Sequence, residues 1–222
     1  MFPRKSAPAS LRLKLTAGLC ALAACWIFGQ IAFPVANVEQ LRDGDIIFQT
    51  STSRQSKAIQ LATHSKYSHM GILFHNPNMS SQDPNGWWVF EAVGPVKETP
   101  LKNWVARGFG HHYVVKRLKQ NRLHAGAVLM STGDKFKGKP YDAYFGWSDD
   151  RIYCSELVWK MYKEGLGVEI GPLQKLKDFD LSSSTVKAML MERYGSAVPL
   201  DETVIAPSAI FDSPDLVTVC SH

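Results

Sequence analysis

The chain has 222 residues, 45% of them hydrophobic, enough to fill one core without metal or disulfide staples. Its charge of +5 does not indicate nucleic-acid binding, because Arg4, Lys5, Arg12 and Lys14 all precede the first acidic residue, Glu39. Setting those four aside leaves 21 basic against 20 acidic residues, a nearly neutral body.

The four cations lead into an apolar stretch, residues 15–33, in the order of an export signal. Within it, Leu22-Ala23-Ala24-Cys25 matches a lipobox, which would make Cys25 the lipidated residue. The stretch is also about long enough to stay as a membrane anchor, and a cleaved signal is the third outcome. We therefore read residues 1–36 as signal, lipoprotein signal or anchor, and 37–222 as one domain. Its expected place is the periplasmic side of the cell envelope, tethered to the membrane through the N-terminal segment. Outside that segment only Cys154 and Cys220 remain, too few for a disulfide framework, although one bridge between them is open.

Along the body, Asp43-Gly44-Asp45 reads as a turn before a β-prone run at 46–48, followed by a short helix over 53–61. A strand is expected at 68–75, a long polar loop at 76–86 and a second strand at 87–93 closed by Gly94-Pro95. The pattern then predicts a helix at 101–106, a strand at 112–117 and a helix over 122–135. Ser148-Asp149-Asp150 precedes a helix starting near Tyr153, where Leu157, Val158, Met161 and Tyr162 recur at helical spacing, and Gly165 or Gly167 ends it. One more helix is expected over 183–194, and the tail after Pro199 reads as an irregular, partly apolar wrap.

Chemistry concentrates on Cys154, in the first turn of its helix. Unpaired N–H groups and the helix dipole lower a thiol's pKa there, and the same amides can hold an oxyanion. Of seven histidines, His69 is the best-placed base, at the start of the strand whose Met70, Ile72 and Phe74 form one apolar face. Glu91 is the lone acid of the strand at 87–93. If the two strands pair antiparallel with their apolar faces matched, Glu91 shares a face with His69. In one such register it stands opposite Gly71 and diagonal to His69, with Cα atoms roughly 7–8 Å apart. Each residue also has a plainer reading: Cys154 as a small buried hydrophobe, Glu91 as a solvated charge, His64 or Asp45 as the true partner. Tyr67 and Tyr153 are secondary candidates for shaping an oxyanion pocket.

Five blocks in order resemble the YiiX-like permuted papain-type amidases: residues 43–48, 65–72, 90–95, 138–142 and 153–158. The resemblance runs from about residue 41 to 215. It implies an α+β, circularly permuted papain-like (NlpC-like) fold, an antiparallel sheet or half-barrel packed on helices, with the nucleophile at a helix N-terminus. It also implies the chain order His69, Glu91, Cys154, chemically equivalent to other orders because triads are set by geometry. The activity expected is cysteine-dependent amide hydrolysis, on peptidoglycan stem peptides or on N-acyl and lipid amides. An acyltransferase or a non-catalytic envelope binding module are the alternatives. No paired Cys-x-x-Cys, His-Glu-x-x-His or phosphate-cradling glycine loop occurs, so neither metal nor cofactor is expected; the oligomeric state is not legible.

Overall fold

The computed structural model describes residues 38–79, 83 and 85–222. The export segment and the lipidation candidate Cys25 lie outside them. Among the described residues no helix is long and apolar enough to cross a membrane.

Six strands form one antiparallel sheet in the order β4-β3-β2-β1-β5-β8. Its centre is β1 (Ile46–Ser51), flanked by β2 (His69–His75) and β5 (Gly108–Leu118), with α1 (Ser56–Thr63) between β1 and β2 in the chain. β3 (Trp87–Ala92) pairs with β2, and β4 (Val96–Pro100) with β3. β4 was not legible in advance: Val96-Lys97-Glu98-Thr99 alternates too briefly to separate from the Gly94-Pro95 turn. α2 (Leu101–Ala106) follows it, at the expected place, and α3 (Ala125–Asp134) comes after β5.

Alternation divides the core into two layers. Ile46, Phe48, Met70, Ile72, Phe74 and Phe90 meet α3 and α4 (Cys154–Leu166) on one face. Ile47, Leu73 and Val89 meet Leu101, Trp104 and Val105 of α2 on the other. With both faces covered, every residue of β3 is buried, so the strand reads as a continuous apolar run around Glu91.

Helix α4 starts after Tyr153 in extended conformation and stops at Gly167, which takes φ 69° and donates its N–H to Lys163 O. β6 (Gln174–Lys175) precedes α5 (Ser184–Tyr194), capped by Ser183 Oγ accepting from Val186 N at 3.2 Å. The tail corrects the expectation of an irregular wrap. β7 (Thr203–Val204) pairs with β6, α6 (Pro207–Phe211) packs on the core, and β8 (Leu216–Ser221) forms the sheet edge beside β5. These elements are too short for periodicity to reveal them; pairing and burial make them.

Candidate active site

The register of β2 and β3 sets Ile72 opposite Phe90 and Leu73 opposite Val89. Continued by one residue it brings Gly71 opposite Glu91. A Cβ on Gly71 would lie 2.4 Å from Val89 Cγ1 and 3.2 Å from Glu91 Cβ, so only glycine leaves room for the acid to turn toward the neighbouring strand. His69 Nε2 and Glu91 Oε2 are 2.6 Å apart.

Glu91 is completely buried and held on both oxygens. Thr99 of β4 donates to Oε1 at 2.6 Å, Trp104 Nε1 of α2 to Oε2 at 3.0 Å, and Arg107 pairs with Oε2. Burial alone would push this carboxyl up, but hydrogen bonds and charge from His69 and Arg107 outweigh it and hold Glu91 down at about 2. Burial likewise pulls His69 down, and hydrogen bonds and charge from Cys154 and Glu91 overcome it, raising His69 to about 9. The imidazole is therefore held protonated beside an ionised carboxylate.

With Nε2 on Glu91, the other ring nitrogen is left free to face Cys154, which is one of the groups that raise His69. By parity His69 and Glu91 belong to the α2 face, whereas Cys154 comes from α4 on the other. The two layers communicate at the sheet's end, because His69 is the first residue of β2 and Cys154 the first of α4. Cys154 is 3% exposed and His69 7%, so the pair sits below the surface. The helix start is tied down behind it. Glu156 Oε2 accepts from Tyr153 N at 3.3 Å, and Lys160 Nζ spans from Glu156 Oε1 at 2.8 Å to Asp149 at 2.7 Å.

Cys154 and Cys220 are both free and buried. Cys154 belongs to the α4-side core and Cys220, on β8, to the α2-side core, so the sheet stands between the two thiols. Tyr153 lines a recess with Cys154, and its hydroxyl accepts from Ile205 N at 3.0 Å. Tyr67 stacks on Phe211 and His112 and lines neither the recess of Cys154 nor that of His69.

Several residues around the pair were not site candidates in the sequence, although Tyr141 lies within the resembling block 138–142. Tyr141 lines both recesses, and its hydroxyl accepts from Gln55 Nε2 at 2.6 Å. Burial first, and the Cys154 charge second, hold that phenol far above its ordinary range, so it stays a neutral donor. Gln49 faces His69 in the β1–β2 register and is buried, with both side-chain amide atoms unpartnered among the described residues. Thr99, Trp104 and Arg107 reach Glu91 from segments whose local pattern says nothing about it.

Residues 40–220 match the family described as permuted papain-like amidase enzyme, YaeF/YiiX, C92 family. The uncharacterized protein YiiX of Escherichia coli strain K12 is 54% identical over 184 residues, covering 82% of this chain and 88% of that protein. A crystal structure described as metalloprotein YiiX from Escherichia coli O157:H7 is similar with a TM-score of 0.76 at 53% identity, covering 82% of this chain and 98% of that one. The chain belongs to the permuted papain-like amidase family, with the α+β fold that this implies. Among the described residues no three His, Cys, Asp or Glu side chains are grouped to hold a metal ion.

Proposed function

We propose that this permuted papain-like amidase cleaves amide bonds through an acyl-enzyme on Cys154, with His69 as proton carrier and Glu91 as the acid that orients it. The observation that carries this reading is the buried His69–Glu91 pair, 2.6 Å apart, with Cys154 at the first turn of α4 raising the pKa of His69. It has the form of a nucleophile, a base and an orienting group.

His69 accepts the thiol proton as the reaction begins. The thiolate attacks the amide carbonyl carbon, forming a C–S bond and placing charge on the carbonyl oxygen. Collapse breaks the C–N bond, and the His69 proton goes to the departing amine. Water then gives a proton to His69 and adds to the thioester; breakdown releases the carboxylic acid and returns Cys154 and His69, with their shared proton, to the starting state. Cys154 N–H, at the N-terminus of α4, is one donor to the oxyanion. Tyr141 is the second: its hydroxyl already accepts from Gln55, which leaves its proton to donate. This reading puts the enzyme in the cell envelope, supported by the basic and apolar order of the first 33 residues.

The test is alkylation of the full chain by iodoacetamide at neutral pH, with wild type, His69→Ala and Cys154→Ser compared by intact mass. A fast-labelling Cys154 that slows in His69→Ala is expected. Equal, slow labelling of both would sink the proposal.

A further inference from the structure

Tyr141, Gln55 and Arg193 come from separate segments and form one hydrogen-bonded chain. Gln55 is the residue before α1, Tyr141 lies between α3 and α4, and Arg193 is in the last turn of α5. Arg193 Nη2 donates to Gln55 Oε1 at 2.7 Å, and Gln55 Nε2 donates to Tyr141 Oη at 2.6 Å. The guanidinium fixes the direction of this chain. It has donors only, so Gln55 must turn its carbonyl oxygen to Arg193 and its NH2 to Tyr141. The phenol oxygen then accepts, and its own proton has to point away from Gln55. Tyr141 lines the recess of Cys154 as well as that of His69, and the Cys154 charge bears on the phenol.

We propose that Gln55 and Arg193 are positioning residues of the reaction: Arg193 fixes the amide of Gln55, and Gln55 fixes Tyr141 with its proton directed at the oxyanion that forms over Cys154. This rests on the hydrolase reading above, in which Tyr141 is an oxyanion donor. Neither side chain serves its own helix. Gln55 occupies the N-cap position of α1, where a short polar side chain would bond the helix start, yet it makes no cap bond. Arg193 pairs with no carboxylate among the described residues; its neighbour Glu192 pairs with Arg54 instead. The guanidinium carbon stands 4.9 Å from the centre of the Phe145 ring, and Nη1 is buried without a partner among the described residues. A guanidinium so placed gains little for the fold, since a buried donor left unpaired costs stability. Its charge acts along the chain. It draws electron density from the Gln55 carbonyl, which makes the amide N–H a better donor and, in turn, the Tyr141 O–H a better donor to developing negative charge.

Gln55→Glu, nearly unchanged in shape, reverses the chain. A carboxylate only accepts, so Tyr141 must give its proton to it and away from the site. In the full chain, the infrared C–O stretching band of Tyr141, isolated as the difference between each protein and its Tyr141→Phe counterpart, should rise in Gln55→Glu. A phenol that donates carries more charge on oxygen than one that accepts, and the readout needs no turnover. For an N-acyl anilide, kcat should fall roughly 10²–10³-fold, as for Tyr141→Phe, with KM within about twofold and Cys154 labelling near wild type. Adding Gln55→Glu to Tyr141→Phe should cost nothing further. Gln55→Met, which frees the phenol without reversing it, should lose only about fivefold. An unmoved band, or full activity in Gln55→Glu while Tyr141→Phe is slowed, overturns the positioning role and leaves the hydrolase reading standing. Hydrolysis that Tyr141→Phe leaves intact removes the oxyanion donor, and the positioning role falls with it. A wild type without Cys154-dependent hydrolysis takes down both.

Discussion

His69 Nε2 and Glu91 Oε2 lie 2.6 Å apart across neighbouring strands, and the acid is also gripped by Thr99, Trp104 and Arg107. The carboxylate is thus fixed by three residues, from β4, α2 and the cap of α2, besides its contact with the imidazole. Its ionised state is a property of the fold, and so is the proton held by His69.

The first prediction concerns pH and labelling. His69 keeps its proton up to about 9 and Glu91 its charge down to about 2, so the pair proposed to activate Cys154 persists across neutral pH. The excess alkylation rate of wild type over His69→Ala should hold through pH 7 and 8 and vanish above about 9. A rate profile from pH 5 to 10.5 measures it; an excess that disappears by pH 7 contradicts the assignment.

Stability should follow the same groups. The folded state lowers the carboxyl of Glu91, so its contribution is present above the ordinary value of 4.5 and is lost as pH falls toward 2. The folded state raises His69, so its contribution is complete below the ordinary value of 6.5 and is lost as pH rises through about 9. Urea unfolding of wild type and Glu91→Gln should show the largest difference between about pH 4.5 and 6.5 and a narrowing gap on either side.

Removing the acid outright is more costly than neutralising it. Glu91→Ala leaves the imidazole of His69 and the guanidinium of Arg107 facing an empty buried site. A loss of about 3 kcal/mol is expected, the lower end of the range for breaking a buried pair, because the Arg107 side chain is 33% exposed and water can reach it. The urea midpoint reports this, and an unchanged midpoint would mean that the clamp carries no stability.

Gly71→Ala tests the space beside the acid. Its Cβ would stand 2.4 Å from Val89 Cγ1 and 2.7 Å from Phe90 O, so β2 and β3 must part. The expected cost is about 1–3 kcal/mol, with slower Cys154 labelling as Glu91 shifts from His69. Normal labelling at normal stability would show that the glycine is dispensable.

Tyr141→Phe separates activation of the thiol from stabilisation of the oxyanion. Alkylation develops no oxyanion, so its rate should stay near wild type. Hydrolysis of an N-acyl anilide should fall roughly 10²–10³-fold in kcat, the usual effect of losing one oxyanion donor. Equal effects on both reactions would instead make Tyr141 a structural support of the pocket.

The sequence by itself determined much of this. Apolar alternation at Met70, Ile72 and Phe74 and at Trp88, Phe90 and Ala92 fixed strand parity, which sufficed to put Glu91 on the face of His69, because a side-chain period of two allows no other match. Helical spacing after Tyr153 set Cys154 in a first turn, and the order of five blocks implied the permuted fold. The tertiary structure decided what depends on contact between segments far apart in the chain. Thr99 and Trp104 close on Glu91 only because β4 and α2 fold back beside β3, and β8 becomes the sheet edge only because β5 is there to pair with it. Tyr141 and Arg193, 52 residues apart in the numbering, border the same recesses because α5 packs on α1 and walls the recess of Cys154. Local patterns encode which way a side chain points. What it meets there is set by the packing of distant segments, and here that packing set a lone thiol at the end of the sheet where the buried His69–Glu91 pair lies.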